Sequence, residues 1–221
     1  AAEFAIDQIM INDKIDTQLI KNIHKELFVG LSRWKNKNGK FRNINVQIEN
    51  ANGYLFYPMA HGEKLNAAIK ELNQWFQKTN SWDPIVAIAA YHYQFETIHP
   101  FNDGNGRLGR LLVVLQLVRL KVLREPLLTI SPWFEERRDQ YQDELLHLSA
   151  TGDFDRWVGF FSMAVRDQAI ESSNKIEKLI NYEEVVRIRC RAHNVRGVAW
   201  TVALMLIERP YMTSTWIQKH F

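Results

Sequence analysis

Apolar residues recur along this chain at steps of three and four far more often than at steps of two, which predicts a mainly helical fold. In residues 16–28, Leu19, Ile20, Ile23, Leu27 and Phe28 mark one amphipathic helix, with Asp16 placed to cap its start and Gly30 to stop it. Leu65, Ile69, Leu72, Trp75 and Phe76 mark a second, broken at Thr79-Asn80-Ser81. Asp83 and Pro84 supply a cap and a first-turn proline for a third, over residues 85–97. Residues 111–123 are apolar on nearly every face, the pattern of a central helix surrounded by others. Ser131-Pro132 opens one further helix through Tyr141, Leu145, Leu146 and Leu148, with Glu135 and Glu136 in its first turn, where they suit the dipole. Gly152-Asp153 ends it and begins another, marked by Trp157, Phe160, Phe161, Ala164, Val165 and Ala169 and continuing towards Leu179.

Two runs alternate instead. Val46-Gln47-Ile48 and Tyr54-Leu55-Phe56-Tyr57, joined across Asn52-Gly53, predict a β-hairpin, with the polar stretch 35–40 leading into it. Pro58 ends it and no third strand is in view, so the hairpin is expected to pack on helices or to sit beside a site. Past Asn181 the composition changes: Arg187, Arg189, Arg191, His193 and Arg196 crowd ahead of an apolar helix at 198–207. Pro210 breaks that helix, and Thr213 or Ser214 can cap another near Trp216. This pair is similar to the first part of a helix-turn-helix without the element that would read DNA. The expected organisation is a mainly α domain at 1–180, carrying the hairpin (about 43–58) and a polar loop (99–110), and a truncated helical appendage at 181–221, read as the start of a winged helix.

Composition narrows the function classes. A formal charge of +3 over 221 residues is far from the dense basic footprint of a nucleic-acid-binding protein, so DNA binding by this fragment is not expected. Cys190 is the single cysteine, which excludes an internal disulfide and favours a reducing, cytoplasmic setting with an inert thiol. The longest apolar run, 108–123, is interrupted by Arg110, Arg119 and Lys121 and is too short to span a bilayer, so no membrane association is expected. No secretory signal is visible at the start. Ala1-Ala2-Glu3-Phe4 reads as an addition, and the ending lacks a helix-stop signal; both ends are expected to have been cut from a longer protein.

The unusual chemistry is concentrated in His99-Pro100-Phe101-Asn102-Asp103-Gly104-Asn105-Gly106-Arg107-Leu108-Gly109-Arg110. Gly104-Asn105-Gly106 can turn successive backbone N–H groups onto an anion at a helix N-terminus. Arg107 and Arg110, three apart on the first turn, reach towards the same ligand, and two cations there oppose the dipole unless an anion compensates. Asp103 is suited either to capping the helix or, beside phosphates, to Mg²⁺. His99, held out of a helix by Pro100, can serve as a general base. Together these supply base, metal ligand and charge stabilisation for phosphoryl or nucleotidyl transfer.

This stretch resembles the Fic family signature, His-x-Phe-x-(Asp/Glu)-Gly-Asn-Gly-Arg-x-x-Arg, at every defined position. Gly39-Lys40-Phe41-Arg42 with the hairpin looks like the family's flap, and Tyr93-Gln94-Phe95-Glu96-Thr97-Ile98 like its approach to the motif. Phe134-Glu135-Glu136-Arg137-Arg138-Asp139-Gln140-Tyr141 and Thr151-Gly152-Asp153 look like its downstream helices, so the resemblance covers about 16–169. What it implies is a Fic-type helical bundle that transfers AMP from ATP to a side-chain hydroxyl of a target protein and releases pyrophosphate. His99 would take the hydroxyl proton, and Asp103 would hold Mg²⁺ across the α- and β-phosphates. Gly104, Asn105 and Gly106 would cradle the phosphates, with Arg107 and Arg110 on the outer ones. Phe101 would anchor the loop in the core, and Tyr141 is a candidate for the adenine pocket. The flap, Gly53, Tyr54, Leu55, Phe56 and Tyr57, would pair with an extended target segment by strand addition.

Many members of that family are restrained by a helix with (Ser/Thr)-x-x-x-Glu-(Gly/Asn), whose glutamate pairs with the second motif arginine, here Arg110. No such sequence precedes the flap, and Ser173-Asn174-Lys175-Ile176-Glu177 has the spacing but is followed by Lys178, a match that chance supplies. An inhibitory helix, if there is one, would come from a missing segment or another chain. Removal of AMP, use of another nucleotide donor, and a DNA-associated regulatory or interaction module built on the appendage remain alternatives, and a homodimer stays undecided.

Overall fold

A computed structural model of the chain describes residues 1–30, 39–49, 53, 55–58 and 61–221. In chain order the elements are α1 (Ala2–Asn12), α2 (Thr17–Leu27), β1 (Ile48–Glu49), β2 (Leu55–Phe56), α3 (Glu63–Phe76), α4 (Pro84–Ile98), α5 (Asn105–Arg119), α6 (Ser131–Glu136), α7 (Arg138–Thr151), α8 (Phe154–Ala192), α9 (Val198–Glu208) and α10 (Ser214–His220). They form two compact units, Ala1–Gln168 and Ala169–Phe221. The compositional change after Asn181 falls inside α8, which is helical through it.

Unit one is built on α4 and α5. Ala87, Ala89 and Ala90 let α4 approach its neighbours closely, and Leu108, Leu112, Leu115 and Leu117 of α5 are buried all round, as a central helix requires. Helices α1, α2 and α3 contribute Ala5, Ile9, Ile20, Ile23, Leu65 and Ile69 to the same core, and Trp133, Phe134, Trp157 and Phe161 join it from the later helices. The caps follow the sequence. Asp16 accepts from Leu19 N–H at 2.8 Å, and Asp83 from Ile85 and Val86 N–H at 2.8 and 3.2 Å. Residues 2–4, part of the stretch read as an addition, form the start of α1, whose Ala5 and Ile9 are buried. The single helix expected from Ser131 is broken at Arg137 (φ −115°, ψ 34°), where the chain restarts as α7.

The hairpin is present and antiparallel, with Ile48 opposite Phe56 and Glu49 opposite Leu55. Gly53 sits in its turn at φ +78°, a conformation glycine takes without strain. The polar residues 35–38, Asn52 and Tyr54 lie outside the described residues, and of Leu55 only the backbone is described.

Unit two comprises the end of α8 with α9 and α10. Cys190 is buried there, Arg187 pairs with Glu183, and Thr213 caps α10 by accepting from Trp216 N–H at 3.1 Å. No residue of α9 is buried, apolar though that helix is.

Candidate active site

Helix α4 delivers the chain to His99 and stops. His99 takes the left-handed conformation (φ 49°, ψ 63°) while its N–H still donates to Phe95 O at 3.0 Å. The following proline disfavours a right-handed helical residue at this position and so ends α4, but it favours an extended residue, and the left-handed turn is held by tertiary contacts. A non-glycine residue there costs about 1–2 kcal/mol. The buried Arg42 holds it in place: Nε donates to His99 O at 2.8 Å, Nη2 to Ile98 O at 3.4 Å and Nη1 to Ile44 O at 3.0 Å, and the Arg42 N–H donates to Pro100 O at 2.9 Å.

The His99 ring places Nδ1 3.3 Å from the carbonyl of Glu96. A carbonyl can only accept, so this contact assigns the hydrogen to Nδ1 and leaves the lone pair on Nε2. Burial pushes the pKa down to about 4, with Arg42 acting in the same direction and the Glu96 carbonyl and Asp103 against it. At pH 7 the ring is neutral and able to accept a proton.

The loop after His99 is tied from within. Asn105 is buried, accepts from Phe101 N–H at 2.9 Å and donates to Phe101 O at 2.8 Å. Beneath it lies α2: the fully buried Phe101 stacks on His24 (ring centroids 3.7 Å apart, planes at 7°), and Arg107 lies over Phe28 at 4.8 Å. His24 Nδ1 accepts from Gly39 N–H at 3.0 Å, so Nε2 carries the hydrogen and donates to Asp103 O at 2.9 Å. Gly104 is left-handed (φ +84°), and a β-carbon there would fall 2.8 Å from the Phe28 ring. Only glycine meets both demands.

Gly104 is left-handed and Asn105 helical, the backbone sequence of a nest, at the start of α5, where the first amides have no intrahelical acceptor. Asp103 does not cap the helix; its Oδ1 accepts from Gly104 N–H at 2.6 Å and lies 3.7 Å from Arg107. Arg110, with 12% of its side chain exposed, donates to Ser131 Oγ at 3.1 Å and to Glu135 at 2.7 Å. Glu135, expected at a helix start to complement the dipole, therefore serves as an ion-pair partner for Arg110.

These groups surround a cavity of about 420 Å³. His99, Asp103, Gly104, Gly106, Arg107 and Arg110 give it a polar, cationic lining; Phe134, Tyr141, Leu145 and Leu146 an apolar one, with Gln142 and Ser149; Ile48 and Phe56 of the hairpin also face it. Tyr141 is buried, its hydroxyl hydrogen-bonded with His92 Nε2 at 2.8 Å. Asn105 is not in the lining, and its side chain is bound to Phe101. Tyr57 is exposed. The residues that sequence reasoning missed are His24, Arg42, Ser131, Glu135 in its pairing role, and Glu96. Glu96 lines the cavity, has a buried Oε1 without a hydrogen-bond partner, and is pushed up to about 7 by burial, against the pull of Arg110.

Among the described residues no three His, Cys, Asp or Glu side chains gather as a protein cage for a metal. A single half-exposed carboxylate such as Asp103 suits a magnesium ion that takes its other ligands from a substrate and water.

Residues 14–117 match the model of the Fic/DOC family. The chain carries a Fic-family domain. The match to the protein adenylyltransferase fic-1 of Caenorhabditis briggsae is 32% identical over 124 residues, covering 55% of this chain and 22% of that protein. The chain thus spans about a fifth of the length of the curated relative it matches. A solved Fic family protein from Desulfovibrio desulfuricans G20 superposes with a TM-score of 0.66 at 28% identity, over 79% of this chain and 52% of that one. A Fic domain containing signaling protein from Bacteroides thetaiotaomicron shares the fold, with a TM-score of 0.62 at 21% identity over 77% and 69% of the two chains. Among the described residues of this Fic domain and its appendage, no helix is long and apolar enough to cross a membrane.

Proposed function

We propose that this chain is the catalytic part of a protein adenylyltransferase, which moves AMP from ATP to a Ser, Thr or Tyr hydroxyl of a target protein and releases pyrophosphate. The observation that carries the reading is a neutral histidine, its Nε2 lone pair available, lining the same cavity as an anion nest and two arginines. The names of the curated relatives support it at the level of the family.

In this reading the target hydroxyl oxygen attacks the α-phosphorus while its proton passes to His99 Nε2. The bond from the α-phosphorus to the bridging oxygen breaks, and pyrophosphate leaves with the electron pair. The nest of Gly104, Asn105 and Gly106 and the guanidinium of Arg107 hold phosphate oxygens, and Arg110 reaches them after exchanging Glu135 for the ligand. Asp103 would hold Mg²⁺, which supplies charge neutralisation to the phosphates when bound. The apolar lining at Phe134, Tyr141, Leu145 and Leu146 takes the base. A target segment pairs with the hairpin by strand addition, next to Ile48 and Phe56.

The test is incubation with α-labelled ATP and a cell lysate. Label is expected on protein with the wild type and lost by about 10²-fold or more with His99→Ala, the usual size of a general-base contribution. Equal labelling by both removes His99 from its role. The same assay with GTP, UTP and CDP-choline distinguishes other donors, and release of AMP from premodified protein distinguishes the reverse reaction.

A further inference from the structure

Arg42 stands outside the cavity lining, far from His99 in sequence, yet it bonds the backbone at every residue of the turn that presents that histidine. Ile98 O and His99 O are carbonyls that the end of α4 leaves without helical donors, and the guanidinium takes both, at 3.4 and 2.8 Å. The Arg42 N–H takes the next carbonyl, Pro100 O, at 2.9 Å. The third nitrogen, Nη1, donates to Ile44 O at 3.0 Å, on the segment that runs into β1. One planar, buried group is therefore bonded at once to the histidine turn and to the root of the hairpin, whose Ile48 and Phe56 face the cavity.

We infer that Arg42 is a positioning residue that fixes His99 against the root of the hairpin, and so sets where a hydroxyl carried by a hairpin-bound segment meets the base. This inference rests on the proposed transfer to a target hydroxyl. The guanidinium suits the task because its donors diverge in a fixed plane; an ammonium at the end of a flexible stem keeps the charge but cannot hold three separated carbonyls in that geometry. The left-handed backbone of His99 makes the hold necessary, since without it the residue relaxes to a more populated conformation and the ring leaves its place beside the Glu96 carbonyl.

Arg42→Lys and Arg42→Gln separate charge from geometry. A positioning role predicts that both variants bind a non-hydrolysable ATP analogue within about twofold of the wild type, while turnover at saturating nucleotide falls at least tenfold and the KM for the target rises. A parallel fall in nucleotide affinity and turnover, as from general loosening of the fold, overturns the proposal, and so does turnover within twofold of the wild type in Arg42→Lys. Nuclear magnetic resonance of histidine-labelled protein supplies a readout that needs no activity: the wild type shows His99 as the Nδ1–H tautomer, and the variants show mixed tautomers. An unchanged His99 signal in a folded variant rejects the idea. Should neither variant fold, the wild type still decides, through a hydrogen-bond coupling between Arg42 Nε and the His99 carbonyl carbon that must be present. If the wild type modifies no protein while these spectroscopic results hold, the transfer reading fails and the positioning of His99 stands.

Discussion

Arg110 and Glu135 are joined at 2.7 Å, so the cation proposed to receive an outer phosphate already holds a carboxylate of its own chain. Glu135 is 57% exposed at its side chain, and exposed pairs are worth about 0.2–1 kcal/mol, which makes it a weak competitor. Glu135→Gln is expected to tighten ATP binding by about two- to fivefold and to leave AMP binding unchanged, as measured by calorimetry. Equal gains for ATP and AMP would show that the pair does not touch the outer-phosphate position.

Asn105 and Phe101 make the second test. Asn105→Ala strands a buried N–H and a buried carbonyl on Phe101, each worth about 1–3 kcal/mol, and the domain should lose about 2–4 kcal/mol by denaturant titration. Asn105→Asp keeps the acceptor but sets a buried carboxylate against the Phe101 carbonyl, so it should also lose stability at neutral pH. A stability equal to the wild type in Asn105→Ala would mean that the loop is not held from inside.

The ionisable groups near the cavity act in opposite directions with pH. Burial lowers His99 to about 4 and His92 to about 3 from an ordinary 6.5, so the unfolded chain takes protons first as the solution is acidified. Their contribution is complete above pH 6.5 and is lost as pH falls from there towards the folded values. Glu96, raised from 4.5 to about 7, keeps its proton longer when folded, so its contribution is lost as pH rises through that interval. Melting temperatures across pH 4.5–8 should therefore show Glu96→Gln more stable than the wild type at pH 8, with the advantage gone by pH 4.5. The His99 ring resonances should not titrate between pH 8 and 5, and a midpoint near 6.5 would show that the ring is not sheltered.

Gly109 has no room for a side chain, because a β-carbon would collide with the Glu96 carboxyl and approach His92 Cε1 to 3.2 Å. Gly109→Ala should cost about 1–3 kcal/mol by overpacking. Glu96→Ala in the same chain clears the space, so the double variant should lose less than the sum of the two single losses. Strict additivity would mean that the two residues do not touch.

The loop was legible in the sequence because its working groups are contiguous: base, acid, nest and both arginines occupy twelve residues whose local turn and helix start bring them together. Most helices were legible from their spacing and caps. The break at Arg137 was not, since it carries neither glycine nor proline, and α1 was not, since its packing depends on distant partners. His24 left a signal that passed unread: it occupies an apolar slot of α2, one turn after Ile20 and one before Phe28, where a polar residue needs a buried partner. Arg42 and Glu135 left none of their own, because nothing in a run such as Gly39-Lys40-Phe41-Arg42 tells a buried arginine from an exposed one. Their roles are made by contacts 57 and 25 residues away.

The aromatic bed under the loop has one further consequence. His24 reaches Asp103 across 79 residues of chain, and it comes first. In the chain the residues of α2 precede the loop, whereas Ser131 and Glu135, which hold Arg110, follow it. The residues that floor the loop are therefore synthesised before it, and the two that restrain Arg110 after it, so a chain stopped short of α6 would carry the loop and its floor but not the partners of Arg110.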